Sequence, residues 1–436
     1  MKKYGKILLL YIFVVVFNLL FIPNNLDEIW NYGFSYAIRL GEVPYRDFNM
    51  VITPLFSMIM SIPLWISNHY GSYILFYSIF VTIEFVLLFQ IIGKKTYLVL
   101  ILSIIFFPIL YPTYNSFFLF LLILILYCEK KEFPHKDFWI GFLIACSFLT
   151  KQSVGVFFIL PTLLFYKKKK FAIKKRLIGF IIPVFSFCLY LLFTKSMGSF
   201  MNLCFLGLFD FTGNSHGFNI SMMVFLIVLF ISLFFIKRHR SEIEVYYLVL
   251  SYLLYAPLFD FLHLYYVLFS FSILLFLYSK EYNLKYELFF AVCFVAVLCM
   301  MGTTRDVLHY KKNKLSHFEY KNFSKEEVLY TNTIVNYIKK HDSIIYHDDS
   351  YFYRIVANQQ IGSLDLLNHG NHGYQGSKEL VRLIKENKDK IYLVHQDCGE
   401  RISRKETQLD EHGYQYIINH AKKIGSINDY DIYSFA

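Results

Sequence analysis

The sequence predicts a mainly α, polytopic membrane protein with a small C-terminal extracytoplasmic α/β domain, on three observations. Apolar residues fill 56% of the 436 positions and charged ones only 17%, whereas soluble domains carry about 25% charged residues. Apolar stretches of about 18 residues or more, long enough to cross a bilayer, recur from Ile7 to Met301. After Gly302 the composition turns abruptly polar and mixed in sign. A bilayer demands an internally satisfied backbone, so the spans are expected to be helices; an outer-membrane barrel would alternate polar and apolar residues instead.

The net charge of +11 does not point to nucleic acid, because the basic residues gather at alternate helix ends, as the positive-inside rule requires. Twenty of them fall on one predicted side: Lys2, Lys3, Lys6, Lys94, Lys95, Lys130, Lys131, Lys136, Lys167 to Lys170, Lys174, Lys175, Arg176, Lys237, Arg238, Arg240, Lys280 and Lys285. The intervening loops hold only Arg39, Arg46, Lys151 and Lys195. This bias predicts a multi-pass protein of the cell membrane with a cytoplasmic N-terminus.

In chain order, the pattern predicts about eleven transmembrane helices over residues 1–302. The first is 7–22, read as an uncleaved span because no small-x-small cleavage site precedes Asn24. A long outer loop follows, 23–71. Its stretch 54–66 is apolar but short and contains Pro63, so it is expected to lie in the interface with Trp30 and Trp65 at headgroup level. The other spans are 73–92, 97–110, 117–127, 138–149, 154–166, 177–193, 220–236, 245–258, 265–278 and 288–301, several short enough to imply tilt or thinning. Residues 303–436 form the expected external domain, with helices at 326–340 and 377–386 and strands at 343–346 and 390–394. Seven cysteines give no disulfide framework, since most lie within spans and Cys398 stands alone in the C-terminal region.

Candidate site residues share the predicted outer face. Asp27 and Glu28 lie just beyond the first span, where an acid pair can deprotonate an acceptor beside a lipid-borne substrate. A second cluster reads Gly41-Glu42-Val43-Pro44-Tyr45-Arg46-Asp47-Phe48, with Arg46 or Tyr45 able to hold Asp47 in place. Thr150-Lys151-Gln152 interrupts an apolar stretch at an outer turn, where a lysine can neutralise a lipid phosphate or simply snorkel. Asp260 and His263 occupy another outer turn; the histidine can donate to a phosphate oxygen with Asp260 orienting it. Asp210, Asn214 and His216 are expected to be ordinary loop residues, and Glu84 a structural acid inside a span. No metal is assigned: His369-Gly370-Asn371-His372-Gly373 lacks cysteine or acidic partners at ligand spacing, and His347-Asp348-Asp349 ends a predicted strand where metal binding is the minor reading. A divalent metal is possible but unsupported, and no other cofactor is expected. Neither a phosphate-binding Gly-Lys-Ser/Thr loop nor a dinucleotide fingerprint is present.

The first span, the outer acid pair, Gly-x-x-Pro-Tyr-x-Asp-Phe and then Pro-Leu-Phe together resemble the polytopic C-type glycosyltransferases. The similarity is to the bacterial relatives of protein O-mannosyltransferases and of the lipid A aminoarabinose transferase. Leu149-Thr150-Lys151-Gln152 is similar to their Leu-Thr-Lys turn, and Asp260-x-x-His263 to a late Pro-Arg-x-Asp-x-x-His turn whose arginine slot is here Leu258, after Pro257. The resemblance implies transfer of a sugar from a polyprenyl-phosphate lipid to a glycan, lipid or protein acceptor on the outer face, with inversion. The base is then Asp27 or Glu28, the other of the two and Asp47 orienting acceptor or sugar; Lys151, His263 and Arg46 face the donor phosphate; Tyr45, Gln152 and Asp260 assist. A phosphate leaving group needs positive charge rather than a general acid. The alternatives are a polysaccharide polymerase, whose large outer loops are usually basic, and a lipid-linked sugar transporter or flippase, which wants paired mid-bilayer charges. A scaffold whose external domain binds wall polymer is a further alternative.

Overall fold

In a computed structural model, residues 2–20, 26–92, 111–166, 170–208, 220–256, 259–282 and 325–435 are described. The chain is mainly helical with a small C-terminal sheet. Two expected spans, 97–110 and 288–301, lie outside the described residues, as do Asp210, Asn214, His216, Pro257 and Leu258.

The N-terminal part runs α1 (Lys2–Leu20), α2 (Leu26–Arg39), α3 (Leu55–Ile66), α4 (Tyr70–Ile92), α5 (Tyr114–Lys130) and α6 (Lys136–Thr150). It continues through α7 (Gln152–Phe165), α8 (Lys170–Phe193), α9 (Met197–Leu206), α10 (Ile220–Arg238), α11 (Ile243–Tyr255) and α12 (Phe261–Tyr282), of which α7, α9 and α11 contain 3₁₀ or π turns. Among the described residues four helical segments are long and apolar enough to cross a membrane: Tyr70–Ile92, Lys170–Phe193, Ile220–Arg238 and Phe261–Tyr278. Their surroundings differ. α12 sits among other helices, whereas α8 and α10 turn Phe185, Leu192, Ile227 and Phe230 outward, an apolar surface that a water-soluble domain rarely presents on this scale. The segment expected in the interface is helical over Leu55–Ile66 and ends with Trp65 and Ile66 exposed.

Close backbone approach and hydrogen bonds between side chains join the helices. A Cβ at Gly141 of α6 would lie 1.9 Å from the Arg176 carbonyl oxygen of α8, and one at Gly179 would lie 2.1 Å from that of Phe138. Only glycine permits this contact, the small-residue packing usual between membrane helices. Ser251 donates to Ser270 Oγ at 2.7 Å, and the hydroxyls of Ser221 and Tyr255 are 2.7 Å apart.

Polar clusters mark the two ends of this bundle. At one end Arg176, wholly buried, donates to Glu129 at 2.6 and 3.0 Å and to Asp137 at 2.9 Å, and lies over the Tyr166 ring. Tyr278 donates to Glu242 at 2.6 Å on the same side. The opposite end carries Lys151, Gln152 and His263.

The C-terminal domain contains α13 (Lys325–Lys340), β1 (Ser343–Tyr346), α14 (Ser350–Ala357), α15 (Gly376–Glu386) and β2 (Ile391–His395). It ends with α16 (Cys398–Ser403), α17 (Glu411–His420), β3 (Lys422–Ile427) and β4 (Tyr430–Ser434). The sheet order is β1-β2-β4-β3, with β1 and β2 parallel and the other pairs antiparallel. The antiparallel β3–β4 hairpin and α14, α16 and α17 add to the elements that the sequence patterns suggest. The described cysteines, Cys128, Cys146, Cys188, Cys204 and Cys398, are unpaired.

This domain docks on α2, the loop after it, and α9. Tyr36 donates to Asn358 Oδ1 at 3.1 Å, and Asn49 donates to the Asn371 carbonyl at 3.1 Å. The Tyr374 amide donates to Asn202 Oδ1 at 3.0 Å. Gly33 lies against the Tyr351 ring so closely that a Cβ would fall 2.3 Å from it.

Candidate active site at one end of the helical bundle

Helix starts and ends supply the site. Thr113 caps α5 by accepting from the Ser116 amide at 3.2 Å, which sets Asn115 in the first turn. Lys151 is the extended residue between α6 and α7, and His263 lies in the first turn of α12. Three separate stretches therefore meet where their helices begin or break.

They form a directed hydrogen-bond chain. Lys151 Nζ donates to Asn115 Oδ1 at 2.8 Å and lies 5.3 Å from the Tyr114 ring centroid, a cation–π geometry. Asn115 Nδ2 faces His263 Nε2 at 3.4 Å. His263 Nδ1 faces Asp260 Oδ1 at 2.9 Å, and the His263 amide donates to the same oxygen at 2.7 Å. Because Asn115 presents its oxygen to a lysine, its NH₂ must face the histidine. Nε2 then accepts, and the proton sits on Nδ1 against Asp260. Burial alone would raise the Asp260 carboxyl. The adjacent His263, and Lys151 beyond it, pull harder, so the net shift is downward and favours the carboxylate.

Gln152 fixes the neighbouring loop. Its amide donates to the carbonyls of Val51 and Cys204, both at 3.0 Å, and its oxygen accepts from the Thr53 amide at 3.2 Å. The loop of the second cluster and α9 are thus tied to the residue after Lys151. Tyr45 is buried, adopts a left-handed φ of 69° and donates to the Ile52 carbonyl at 2.7 Å. Its hydroxyl shapes the loop.

Asp47 accepts two bonds from Arg46, both 2.8 Å, and one from the Val43 amide at 2.7 Å. The Arg46 bonds hold its carboxyl below the ordinary range. Among the described residues no hydrogen bond joins this pair to Lys151 or His263; it stands on the loop between α2 and α3 that Gln152 holds at Val51 and Thr53. Asp27 and Glu28 lie in the first turn of α2, whose backbone is described, but their side chains lie outside the described residues. Position 27 is one helical turn before Asn31, whose Oδ1 accepts from the Tyr114 amide at 3.3 Å. The backbone of α2 therefore approaches the start of α5.

Sequence patterns alone do not single out Asn115 or assign a role to Glu42. Asn115 is signalled only by the polar run Thr113-Tyr114-Asn115-Ser116 ahead of an apolar span. Glu42 is buried, with Oε1 accepting from the Ile361 amide at 3.1 Å and Oε2 lacking a partner. Burial pushes its carboxyl up to about 7; Asp47 and Asp365 add to the rise while the Ile361 amide opposes it.

No known protein family, curated protein or solved structure matches this chain.

Proposed function

We propose that this chain is a membrane glycosyltransferase that moves a sugar from a polyprenyl-phosphate donor to an acceptor hydroxyl at the extracytoplasmic face. The observation that carries the reading is the Lys151–Asn115–His263–Asp260 chain, a cation and an oriented imidazole held together at the bundle end on which the C-terminal domain docks. The proposal also takes the membrane part to cross about eleven times, with the N-terminus cytoplasmic.

In the reaction the acceptor oxygen bonds to the anomeric carbon as the bond from that carbon to the phosphate oxygen breaks, inverting the centre. The acceptor proton passes to a carboxylate, Asp27 or Glu28, and the lipid leaves as polyprenyl phosphate. Lys151 stabilises the charge gathering on that phosphate, and His263, whose Nε2 accepts from Asn115, holds the amide that carries the lysine. Asp260 keeps the imidazole oriented, and Gln152 holds the acceptor-side loop that carries Tyr45, Arg46 and Asp47. Because Arg46 already holds Asp47 ionised at low proton affinity, Asp47 suits positioning better than proton transfer.

The test is sugar transfer from labelled polyprenyl-phosphate donors in membranes. Lys151→Gln and the amide variants of Asp27 and Glu28 are expected to lose transfer by about a hundredfold or more. Full activity in all of them sinks the proposal. Glu84 favours a second reading, lipid-linked sugar transport, because it is buried inside a candidate span with neither carboxylate oxygen partnered. Flipping of labelled donor across proteoliposomes, abolished by Glu84→Gln and unaffected by Lys151→Gln, would select that reading.

A further inference from the structure

The carboxyl ends of the two parallel strands carry a cluster that the transfer reaction does not use. His347 and Asp349 follow β1, while His395 ends β2 and Asp397 follows it. Because β1 and β2 run side by side in register, with Tyr346 opposite Val394, residues 48 positions apart in sequence are brought together. The two imidazole rings lie 4.7 Å apart, and His395 Nδ1 is 2.5 Å from Asp397 Oδ1. His347, His395 and Asp397 each offer one ligand atom, and the three atoms lie within 4.8 Å of one another. Asp349 Oδ2 is 3.9 Å from His347 Nδ1. Tyr430 closes one side, its ring 4.9 Å from that of His395.

We propose that this cluster is a site for a divalent transition-metal ion of the zinc class, bound by His347, His395 and Asp397. Two imidazoles and a carboxylate form a donor set typical of zinc, and three protein ligands leave a fourth position open to water or an exchangeable ligand. Charge favours a dication. Three carboxyl groups, those of Asp348, Asp349 and Asp397, face one guanidinium, that of Arg401. Arg401 is held by Asp348 at 2.6 Å and also reaches His347 Nε2 at 3.2 Å. His347 Nδ1 accepts from the Asp349 amide at 3.2 Å, so a metal on either ring nitrogen replaces one hydrogen bond, and the Arg401–Asp348 bond stays in place. The position is also where α/β sheets generally receive ligands, outside the carboxyl ends of parallel strands.

The experiment uses the full chain in detergent, without a polyhistidine tag, stripped by chelator and titrated with Zn²⁺ against a chromophoric competitor. One tight equivalent is expected, together with a rise in the thermal midpoint. His347→Ala and His395→Ala are each expected to weaken binding at least tenfold and to abolish the Zn²⁺-dependent rise, while His412→Ala on α17 leaves both intact. Should an alanine variant fail to fold, His395→Gln and Asp397→Asn provide the comparison. No uptake at micromolar Zn²⁺, or equal uptake by the wild type and a folded ligand variant, overturns the proposal. Neither readout depends on sugar transfer, so this site and the transferase reading fail separately.

Discussion

Docking of the C-terminal domain should weaken as pH rises, and Glu42→Gln should remove that dependence. Glu42 Oε1 accepts from the Ile361 amide across the contact between the two parts, while its other oxygen is buried without a partner. Burial, with Asp47 and Asp365 nearby, raises its carboxyl from 4.5 to about 7. When the domain lifts away, water restores the ordinary value. The docked state thus holds a proton that the open state releases, so docking is strongest at low pH and loses stability through the window from 4.5 to 7. With about 1.4 kcal/mol per pKa unit, the loss between pH 5 and pH 8 integrates to about 2.5 kcal/mol. Hydrogen exchange over the peptide containing Ile361, corrected for the intrinsic rate, reads this opening directly. Wild-type protection should fall by roughly 70-fold across that range, while Glu42→Gln, which keeps an acceptor for the Ile361 amide, should stay nearly flat. Parallel pH profiles for the two proteins would refute the argument.

Two further substitutions test the packing of the bundle. Gly141→Ala drives a methyl to 1.9 Å from the Arg176 carbonyl oxygen, so α6 and α8 must separate. A loss of about 3 kcal/mol is expected, seen as a lower thermal midpoint in detergent, and an unchanged midpoint would show that the helices are not so closely apposed. Glu129→Gln leaves the buried Arg176 with Asp137 as its remaining carboxylate. A loss of about 3 kcal/mol is expected in the same melt, and a change within noise would mean that the ion pair is not buried.

Hydrophobic runs and charge bias are local properties, so the helical character of the described residues up to Tyr282 could be read directly from the sequence. The expected segments at 73–92, 220–236 and 265–278 fall within Tyr70–Ile92, Ile220–Arg238 and Phe261–Tyr282. Segment length is less decisive. Only four described segments are long and apolar enough to cross a membrane, because helices such as Gln152–Phe165 and Ile243–Tyr255 are shorter and broken by 3₁₀ turns. In the C-terminal domain the strand at 343–346 could be recognised from its β-branched centre. β3 could not: Lys422-Lys423-Ile424-Gly425 is mostly polar, exposed and glycine-bearing, and it becomes a strand by pairing with β4.

The sequence by itself determined which side chains were available for chemistry: Lys151, Asp260 and His263 stand out because charge at a helix end beside an apolar span is costly and rare. Tertiary structure alone decided who meets whom. Asn115 has no local signature as a bridge, yet it links a lysine 36 positions away to a histidine 148 positions away. Glu42 finds its hydrogen-bond donor 319 residues downstream. The physical reason is that hydropathy and charge act along a segment, whereas a hydrogen bond forms only where packing fixes both partners within about 3 Å, and the packing is a property of the whole chain.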